Sequence, residues 1–240
     1  MNINKEIIEC QVPPNKNNTN QTFYVIKCEL AKGSDEYNYI LERANQLANV
    51  VNSGAANHSD IARNLERRLI DSFGGLCAEY GWEKAINMVF DNIASPTPFT
   101  SASIQIDIQL TNGEKLEVRS SFPYKGVKFA ICNNYATFKN IGPYSNSIKP
   151  GEIQKNLYLC VLFDTPKRDL LSTDNVIFTL IGGSTWDMMV NQGVNTSLVP
   201  YDDDSFAVKS NYKVIKLSDA LDARGVFDEI EKLGYQKKNK

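Results

Sequence analysis

Two acidic residues and one basic residue near the middle of the chain have the types and spacing of a site for a divalent metal ion. Asp107 stands in one alternating apolar–polar segment, Glu117 stands in the next, and Arg119 follows two residues later. Carboxylates on adjacent strands lie about 4–7 Å apart and suit Mg²⁺, which takes oxygen ligands and leaves positions for water and phosphate oxygens. A cation on the same face can stabilise charge that develops during phosphoryl transfer. The pattern indicates phosphodiester hydrolysis.

The register of the two segments decides whether their carboxylates share a surface. The sequence Thr-Asn-Gly-Glu between them is typical of a β-hairpin turn. A two-residue loop would mix apolar and polar side chains on each face, so the pattern favours a three-residue loop, Asn-Gly-Glu, which pairs Ile108 with Val118. Asp107 then lies opposite Arg119, with Glu117 diagonal to Asp107. Both carboxylates are therefore expected on one face.

The periodicity of apolar residues predicts an α/β (α+β) fold with a mixed central sheet flanked by helices. An extended segment comes first, and a helix capped by Ser34 follows, with an apolar stripe at helical spacing. A second helix capped by Ser59 contains the Gly74-Gly75 pair, which either allows a close backbone approach or breaks the helix. Further helices are expected at 82–93, 150–155 and 217–233, the last capped by Ser218, and strands at 101–110, 115–119, 128–132, 157–163 and 176–181.

Length and composition favour one globular domain at residues 1–240. Its expected core covers about 60–182, preceded by an extended segment and helix at 1–55 and followed by a helical segment at 205–240. The chain has 240 residues, 42% of them hydrophobic, enough for a sizeable core. The start of the sequence lacks the pattern of a signal peptide and no apolar run is long enough to span a membrane, so a cytoplasmic protein is expected.

Histidine and cysteine usage narrows the chemistry further. The single histidine, His58, excludes sites that need several imidazoles, and its polar surroundings do not favour a catalytic triad. The five cysteines stand singly, without a Cys-x-x-Cys motif. Reduced structural thiols are the prediction.

The residues around Asp107 and Glu117 resemble the PD-(D/E)XK nuclease superfamily, which includes most type II restriction endonucleases. An aspartate, a spacer and then Glu-x-basic follow the order of the family motif. Upstream, GLCAEY at 75–80 is similar to the Gly-x-x-x-Glu of the family's helix, and downstream PGEIQKNLYLCVLF at 150–163 is similar to its next helix and core strand. The resemblance covers about 64–163 and implies a restriction-endonuclease-like sheet.

The resemblance also implies the roles of individual residues. Asp107, Glu117 and the carbonyl of Val118 would hold Mg²⁺ or Mn²⁺, with help from Glu79. The family has lysine where this chain has Arg119, which stays protonated and presents a planar fork. Arg119 would stabilise charge or position water, and the lysine's role would pass to Lys115 or to one of two later lysines, Lys125 and Lys128. Alternatively, Arg119 only pairs with Asp107 in an inactive descendant of the fold.

A basic segment beside the motif predicts a partner that carries phosphate. Eight basic residues against two acidic ones lie from Arg119 to Arg168, although the whole chain has a net charge of −2. Double-stranded DNA is the expected partner, and a palindromic target would imply a homodimer. Its expected contacts are Ser120, Ser121, Tyr124, Lys125, Lys128, Asn133, Asn134, Lys139 and Lys149.

Two other functions fit the same residues. A non-catalytic nucleic-acid-binding protein would keep the fold and the basic segment but would have lost turnover through the arginine. An α/β protein without a nucleic-acid role would scatter its basic residues over the surface. A requirement for metal distinguishes a nuclease from the non-catalytic binding protein. Binding of DNA that weakens with salt distinguishes both of these from the α/β protein without a nucleic-acid role.

Overall fold

The computed structural model describes residues 1–10, 21–51, 63–99, 105–132, 139–145, 153–198 and 210–238. Within these ranges the strands are β1 (Asn2–Cys10), β2 (Gln21–Ala31), β3 (Ala94–Pro96), β4 (Ile108–Leu110), β5 (Lys115–Ser121), β6 (Lys139–Ser145), β7 (Leu157–Phe163), β8 (Asn175–Thr185), β9 (Val194–Leu198) and β10 (Ser210–Lys216). The helices are α1 (Asp35–Val50), α2 (Leu65–Val89), α3 (Val127–Cys132), α4 (Trp186–Gln192) and α5 (Ala223–Lys232), and a short 3₁₀ helix covers Lys167–Asp169.

A seven-stranded mixed sheet organises the fold in the order β1-β2-β8-β7-β5-β4-β3. Its strand pairs are antiparallel except β5 and β7, which run parallel. Parallel neighbours need a crossover connection, and the chain between β5 and β7 includes α3 and β6. The expected α+β class, with helices flanking a mixed central sheet, is confirmed.

The two faces of this sheet carry separate apolar clusters. Side chains of α1, α2 and α5 pack on one face, against alternate residues of the central strands such as Leu159 and Val161. Side chains of α3 pack on the other face, against Cys160 and Leu162. Because β7 is buried along its whole length, it shows an unbroken apolar run rather than an alternation. The sheet's centre is therefore covered on both sides.

A smaller antiparallel sheet, in the order β6-β10-β9, packs beside the main one. Tyr158 of β7, Met189 of α4 and Ile215 of β10 form a buried cluster between them. The fully buried Asn140 of β6 donates from Nδ2 to the Tyr158 carbonyl at 3.2 Å and to Ser184 Oγ at 2.6 Å. These bonds attach the small sheet to β7 and β8.

The helices agree with the sequence at some ends and not at others. Ser34 caps α1 as predicted, with its side chain accepting a hydrogen bond from Tyr37 N. The second and third predicted helices form one continuous α2, capped by Asn64 rather than Ser59, and position 59 lies outside the described residues. The C-terminal helix is capped by Asp222, four residues after the predicted cap at Ser218. The Asp222 carboxylate accepts a hydrogen bond from Gly225 N, so the helix begins after Asp222 and not after Ser218.

The glycine pair in α2 does not break the helix. A Cβ on Gly74 would lie 3.2 Å from Leu170 Cδ1, whereas one on Gly75 would meet nothing within 4 Å. The closest approach is further along, where a Cβ on Gly81 would lie 2.7 Å from Phe178 Cε2. Glycine therefore lets α2 approach β8 at Gly81 more than at the pair.

Two other predicted elements are wrong where they are described, and the strand predicted at 101–110 is confirmed only at 108–110, as β4. The segment 128–132, predicted as a strand, lies in helix α3, because a short apolar run has no periodicity that separates helix from strand. Residues 153–155 are not helical, and residues 105–107 precede β4 rather than belong to it. The strands expected at 157–163 and 176–181 are confirmed as β7 and part of β8.

Cysteine usage also differs from the prediction. Cys10 at the end of β1 and Cys132 at the end of α3 form a disulfide, while Cys28, Cys77 and Cys160 are buried free thiols. The pairing is not visible in the sequence, because the two cysteines are 122 positions apart. Among the described residues, no helix combines the length and apolar character that crossing a membrane requires.

Candidate metal-dependent active site

The β4–β5 hairpin brings Asp107 beside Glu117, but in a different register from the predicted one. Ile108 pairs with Leu116, not with Val118, and the loop shifts to Thr-Asn-Gly, with Gly113 at a φ of 92°. The predicted register is therefore shifted by two residues, and a shift of two residues leaves every side chain on the same face of the sheet. Asp107 consequently lies next to Glu117 rather than opposite Arg119.

Asp107 is fixed by the backbone of the neighbouring strand. Its Oδ2 atom accepts a hydrogen bond of 2.7 Å from Val118 N, and its own N–H donates to the Leu116 carbonyl at 3.3 Å. The side chains of Asp107 and Glu117 are both buried. A buried carboxylate requires a counter-charge or a proton, so this pair is a place where ions or protons bind.

Both oxygens of Glu117 contact cations. Arg119 Nη2 lies 2.8 Å from Oε1, and Lys155 Nζ lies 2.6 Å from Oε2. The Lys155 side chain is fully buried, whereas that of Arg119 is 24% exposed. Lys155 is therefore an internal partner of Glu117, and Arg119 is the cation on its open side.

The chain just before β7 places Lys155 in the site. Asn156 N donates to the Lys115 carbonyl at 2.7 Å, and Lys115 N donates back to Asn156 Oδ1 at 2.8 Å. Trp186 N donates to the Asn156 carbonyl at 3.1 Å. Since β7 runs parallel to β5 and pairs Tyr158 with Glu117, the residue before Asn156 lies at the start of both strands. From that position the Lys155 side chain is long enough to contact the Glu117 carboxylate.

Lys155 is the residue of the site that sequence reasoning missed. Its separation from Glu117 is 38 positions, and only the parallel pairing of β5 with β7 brings the two together. One feature of the sequence could have indicated Lys155: it stands two residues before the apolar strand β7, where a charged side chain must either pair with an acidic residue or point into solvent. Lys115, which was predicted to supply the lysine function, contributes the backbone bonds to Asn156 described above.

Glu79 approaches the carboxylate pair from α2. Burial, followed by the charge of Asp107, holds the pKa of Glu79 well above its usual range, and Arg43 of α1 acts in the opposite direction. Burial, followed by the charge of Glu117, raises the pKa of Asp107 to about 7, although the Val118 N–H, Arg119 and Lys155 lower it. Burial is therefore the main cause of both raised pKa values, and the neighbouring carboxylates add to it.

This donor set fits a magnesium ion with few protein ligands. Within the described ranges, no three His, Cys, Asp or Glu side chains lie close enough together to form a metal centre of their own. Mg²⁺ is commonly held by one or two carboxylates and keeps several waters, and Asp107 and Glu117 supply that number. Because burial and Glu117 raise the pKa of Asp107, a divalent cation that bound there would compete with a proton.

The predicted DNA contacts separate into three groups. Ser120 and Ser121 end β5 and are half-buried, and Lys139 in β6 is half-buried too. Tyr124, Lys125 and Lys128 are exposed in the turn and helix after β5, with Tyr124 at 85% exposure and Lys125 Nζ 4.9 Å from the Phe129 ring centroid. Predicted contacts outside the described residues are Asn133, Asn134 and Lys149.

The basic segment does not act as one surface. Arg119 and Lys155 neutralise Glu117, and Lys167 Nζ lies 2.8 Å from Asp71 Oδ1. Arg168 is exposed, with 87% of its side chain accessible. Within the described ranges the cations of this segment that face solvent are therefore fewer than the sequence count indicates.

The titration of Asp107 predicts a pH dependence of stability in metal-free buffer. Its pKa rises from 3.8 to about 7 on folding, so the folded chain binds an extra proton between these values. The free energy of unfolding should fall as the pH rises through about 7. Asp107→Asn keeps an acceptor for Val118 N but removes the charge, so its unfolding free energy should depend less on pH and exceed that of the wild type above pH 7. Urea unfolding at a series of pH values measures this, and equal pH profiles would contradict it.

Comparisons of this chain with models of known protein families, with curated proteins and with solved structures found no match.

Proposed function

We propose that this protein is a metal-dependent DNA endonuclease with a restriction-endonuclease-like fold, acting in the cytoplasm on double-stranded DNA. The observation that carries the proposal is the buried pair Asp107 and Glu117, with two cations on the Glu117 oxygens. Such a pair is costly to bury and is expected where chemistry requires it. The proposal also rests on the resemblance of the Asp, Glu-x-basic order to PD-(D/E)XK nucleases.

The order of elements supports this assignment. Three consecutive antiparallel strands, β3, β4 and β5, follow the long helix α2, and a crossover then leads to β7 parallel to β5. Asp107 precedes the middle strand of the three, Glu117 and Arg119 lie on the third, and Glu79 lies on α2. This order of elements supports the proposal, because the resemblance implies the same order for the motif residues.

The contacts of each residue support a role in the proposed site. Asp107 and Glu117, with the Val118 carbonyl, would bind Mg²⁺ or Mn²⁺, and the ion would supply Lewis-acid stabilisation of the phosphate. Lys155 is fully buried against Glu117 and would hold that carboxylate in place. Its ammonium would replace that of the lysine that the family motif has two residues after its glutamate. Arg119, partly exposed, stabilises negative charge on the phosphate oxygens.

A second candidate is a non-catalytic nucleic-acid-binding protein. One observation favours it: both Glu117 oxygens already contact cations, as in a closed structural ion-pair network. In that case Arg119 and Lys155 occupy the positions that a metal would take, and the exposed Tyr124, Lys125 and Lys128 contact DNA without cleavage.

Cleavage of supercoiled plasmid and phage DNA separates the two candidates. The nuclease should nick or linearise DNA with Mg²⁺ or Mn²⁺, give discrete fragments on large DNAs, and lose both activities in EDTA and in Glu117→Ala. Binding of DNA that falls steeply with salt and is unchanged in Glu117→Ala, without cleavage of any DNA, would leave the binding protein. Salt-insensitive or absent binding would exclude both.

A further inference from the structure

The first strand, β1, is a long edge strand of the main sheet. It has nine residues, pairs with β2 on one side, and lies at the end of the strand order. Among the residues that the structure describes, no strand pairs with its outer side. Most of its side chains are exposed, including Ile7 at 56%. An open edge of this length presents unpaired N–H and C=O groups to another strand.

We propose that the outer edge of β1 pairs with β1 of a second copy of this chain, so that two seven-stranded sheets become one. The inference does not depend on the proposed nuclease function. A symmetric dimer requires a two-fold axis, and antiparallel pairing of a strand with itself needs that axis perpendicular to the sheet. Directly opposed residues must also lie on the same face. Only registers in which one residue faces its own copy meet both conditions.

Among the registers centred on Lys5, Glu6, Ile7 and Ile8, in the middle of β1, the charges favour the one centred on Ile7. Centring the axis on Lys5 or on Glu6 would oppose two like charges, which destabilises a cross-strand pair. Centring it on Ile7 opposes the two isoleucines and places Lys5 across from the partner's Glu9, and Glu9 across from the partner's Lys5. Centring it on Ile8 places Ile7 against the partner's Glu9 and leaves the lysines unpaired. On the face that carries Lys5, Ile7 and Glu9, the Ile7 register therefore pairs apolar with apolar and joins opposite charges twice, while on the other face Glu6 lies across from the partner's Ile8.

The face that carries these three residues also has apolar surface for the second copy to cover. Ile7 pairs with Tyr24 of β2, and both line a cavity of about 740 Å³ between the β1–β2 hairpin, the end of α2 and α5. Phe227 and Met88 line the same cavity, and Met88 is 52% exposed. Edge strands that avoid pairing usually carry charges that repel a copy, whereas Lys5 and Glu9 are complementary about Ile7. A copy of the chain is thus a better match than an unrelated strand.

Charge reversal tests the register by sedimentation analysis of the full chain over a wide concentration range. The wild type should sediment as a dimer of the 26.9 kDa chain. Lys5→Glu and Glu9→Lys should each raise the dimer dissociation constant at least about tenfold, and the double variant should restore it. Lys216→Glu, which makes the same charge change at an exposed site in β10, should have no effect.

A cysteine variant tests the centre of the register independently of charge. Under mild oxidation, Ile7→Cys should form a disulfide between two subunits, because the two copies of position 7 face each other. A wild type that stays monomeric, a dimer that Lys5→Glu leaves intact, or failure of the double variant to restore association would each overturn the proposal. Far-ultraviolet circular dichroism establishes that every variant is folded.

Discussion

Replacing Lys155 with methionine is expected to lower the free energy of unfolding by about 3–5 kcal/mol at neutral pH. The change removes one of the two cations at Glu117, whose side chain is only 5% exposed, and keeps a side chain of similar length in the fully buried space of Lys155. An ionised carboxylate then loses its internal partner, and the remaining contact with Arg119 is on the open side. Chemical unfolding of the wild type and the variant measures the difference.

Two further variants show whether the loss comes from the unpaired charge. Lys155→Met combined with Glu117→Gln should recover much of the stability, because no uncompensated negative charge remains. Lys125→Met changes an exposed lysine in the same basic segment and should alter the free energy of unfolding by less than about 1 kcal/mol. If Lys155→Met is as stable as Lys125→Met, the buried ion pair is not part of the folded protein.

Replacing Asp107 with asparagine is expected to lower the rate of DNA cleavage by about three orders of magnitude or more. The change removes one of two carboxylates proposed to bind the metal, and the electrostatic stabilisation of the phosphate depends on that ion. Initial rates of plasmid nicking at saturating Mg²⁺ measure the effect. Asp91→Asn is the matched control, because Asp91 is 87% exposed and lies outside the site, and its rate should equal that of the wild type.

The stability of the same variant should change in the opposite direction. With its pKa raised to about 7 by burial and by Glu117, ionised Asp107 is unfavourable in the folded chain above that pH. Asparagine removes that cost, so the variant should be more stable than the wild type but inactive. Opposite effects on stability and activity are expected of functional residues, and they exclude unfolding as the cause of lost cleavage. A variant that is both less stable and inactive would not support the role of Asp107.

Part of the site was predictable from the sequence because strand faces tolerate a two-residue error. The predicted hairpin had the wrong loop, yet Asp107 and Glu117 still share a face, since the side-chain period along a strand is two. The exact neighbours were not predictable. Val118 N binds Asp107 Oδ2 because the loop is Thr-Asn-Gly, a choice between two similar three-residue turns.

The parts that could not be predicted depend on contacts distant in sequence. Lys155 reaches Glu117 only through the parallel pairing of β5 with β7, and Cys10 reaches Cys132 only through the packing of α3 beside β1. The pattern of apolar residues also did not show that residues 128–132 form a helix, because four of these five residues are apolar or aromatic and fit a helix as well as a strand. Local patterns predicted the class of the fold and the candidate carboxylates. The contact of Lys155 with Glu117 depends on strand pairing that no local pattern shows.

The cleavage rate of Asp107→Asn, measured beside those of the wild type and Asp91→Asn on supercoiled plasmid with Mg²⁺, shows whether the protein is a nuclease that depends on Asp107. We expect metal-dependent cleavage by the wild type and by Asp91→Asn, and at most about a thousandth of that rate for a folded Asp107→Asn. Cleavage by Asp107→Asn at the wild-type rate, or no cleavage by any of the three proteins, would contradict this expectation.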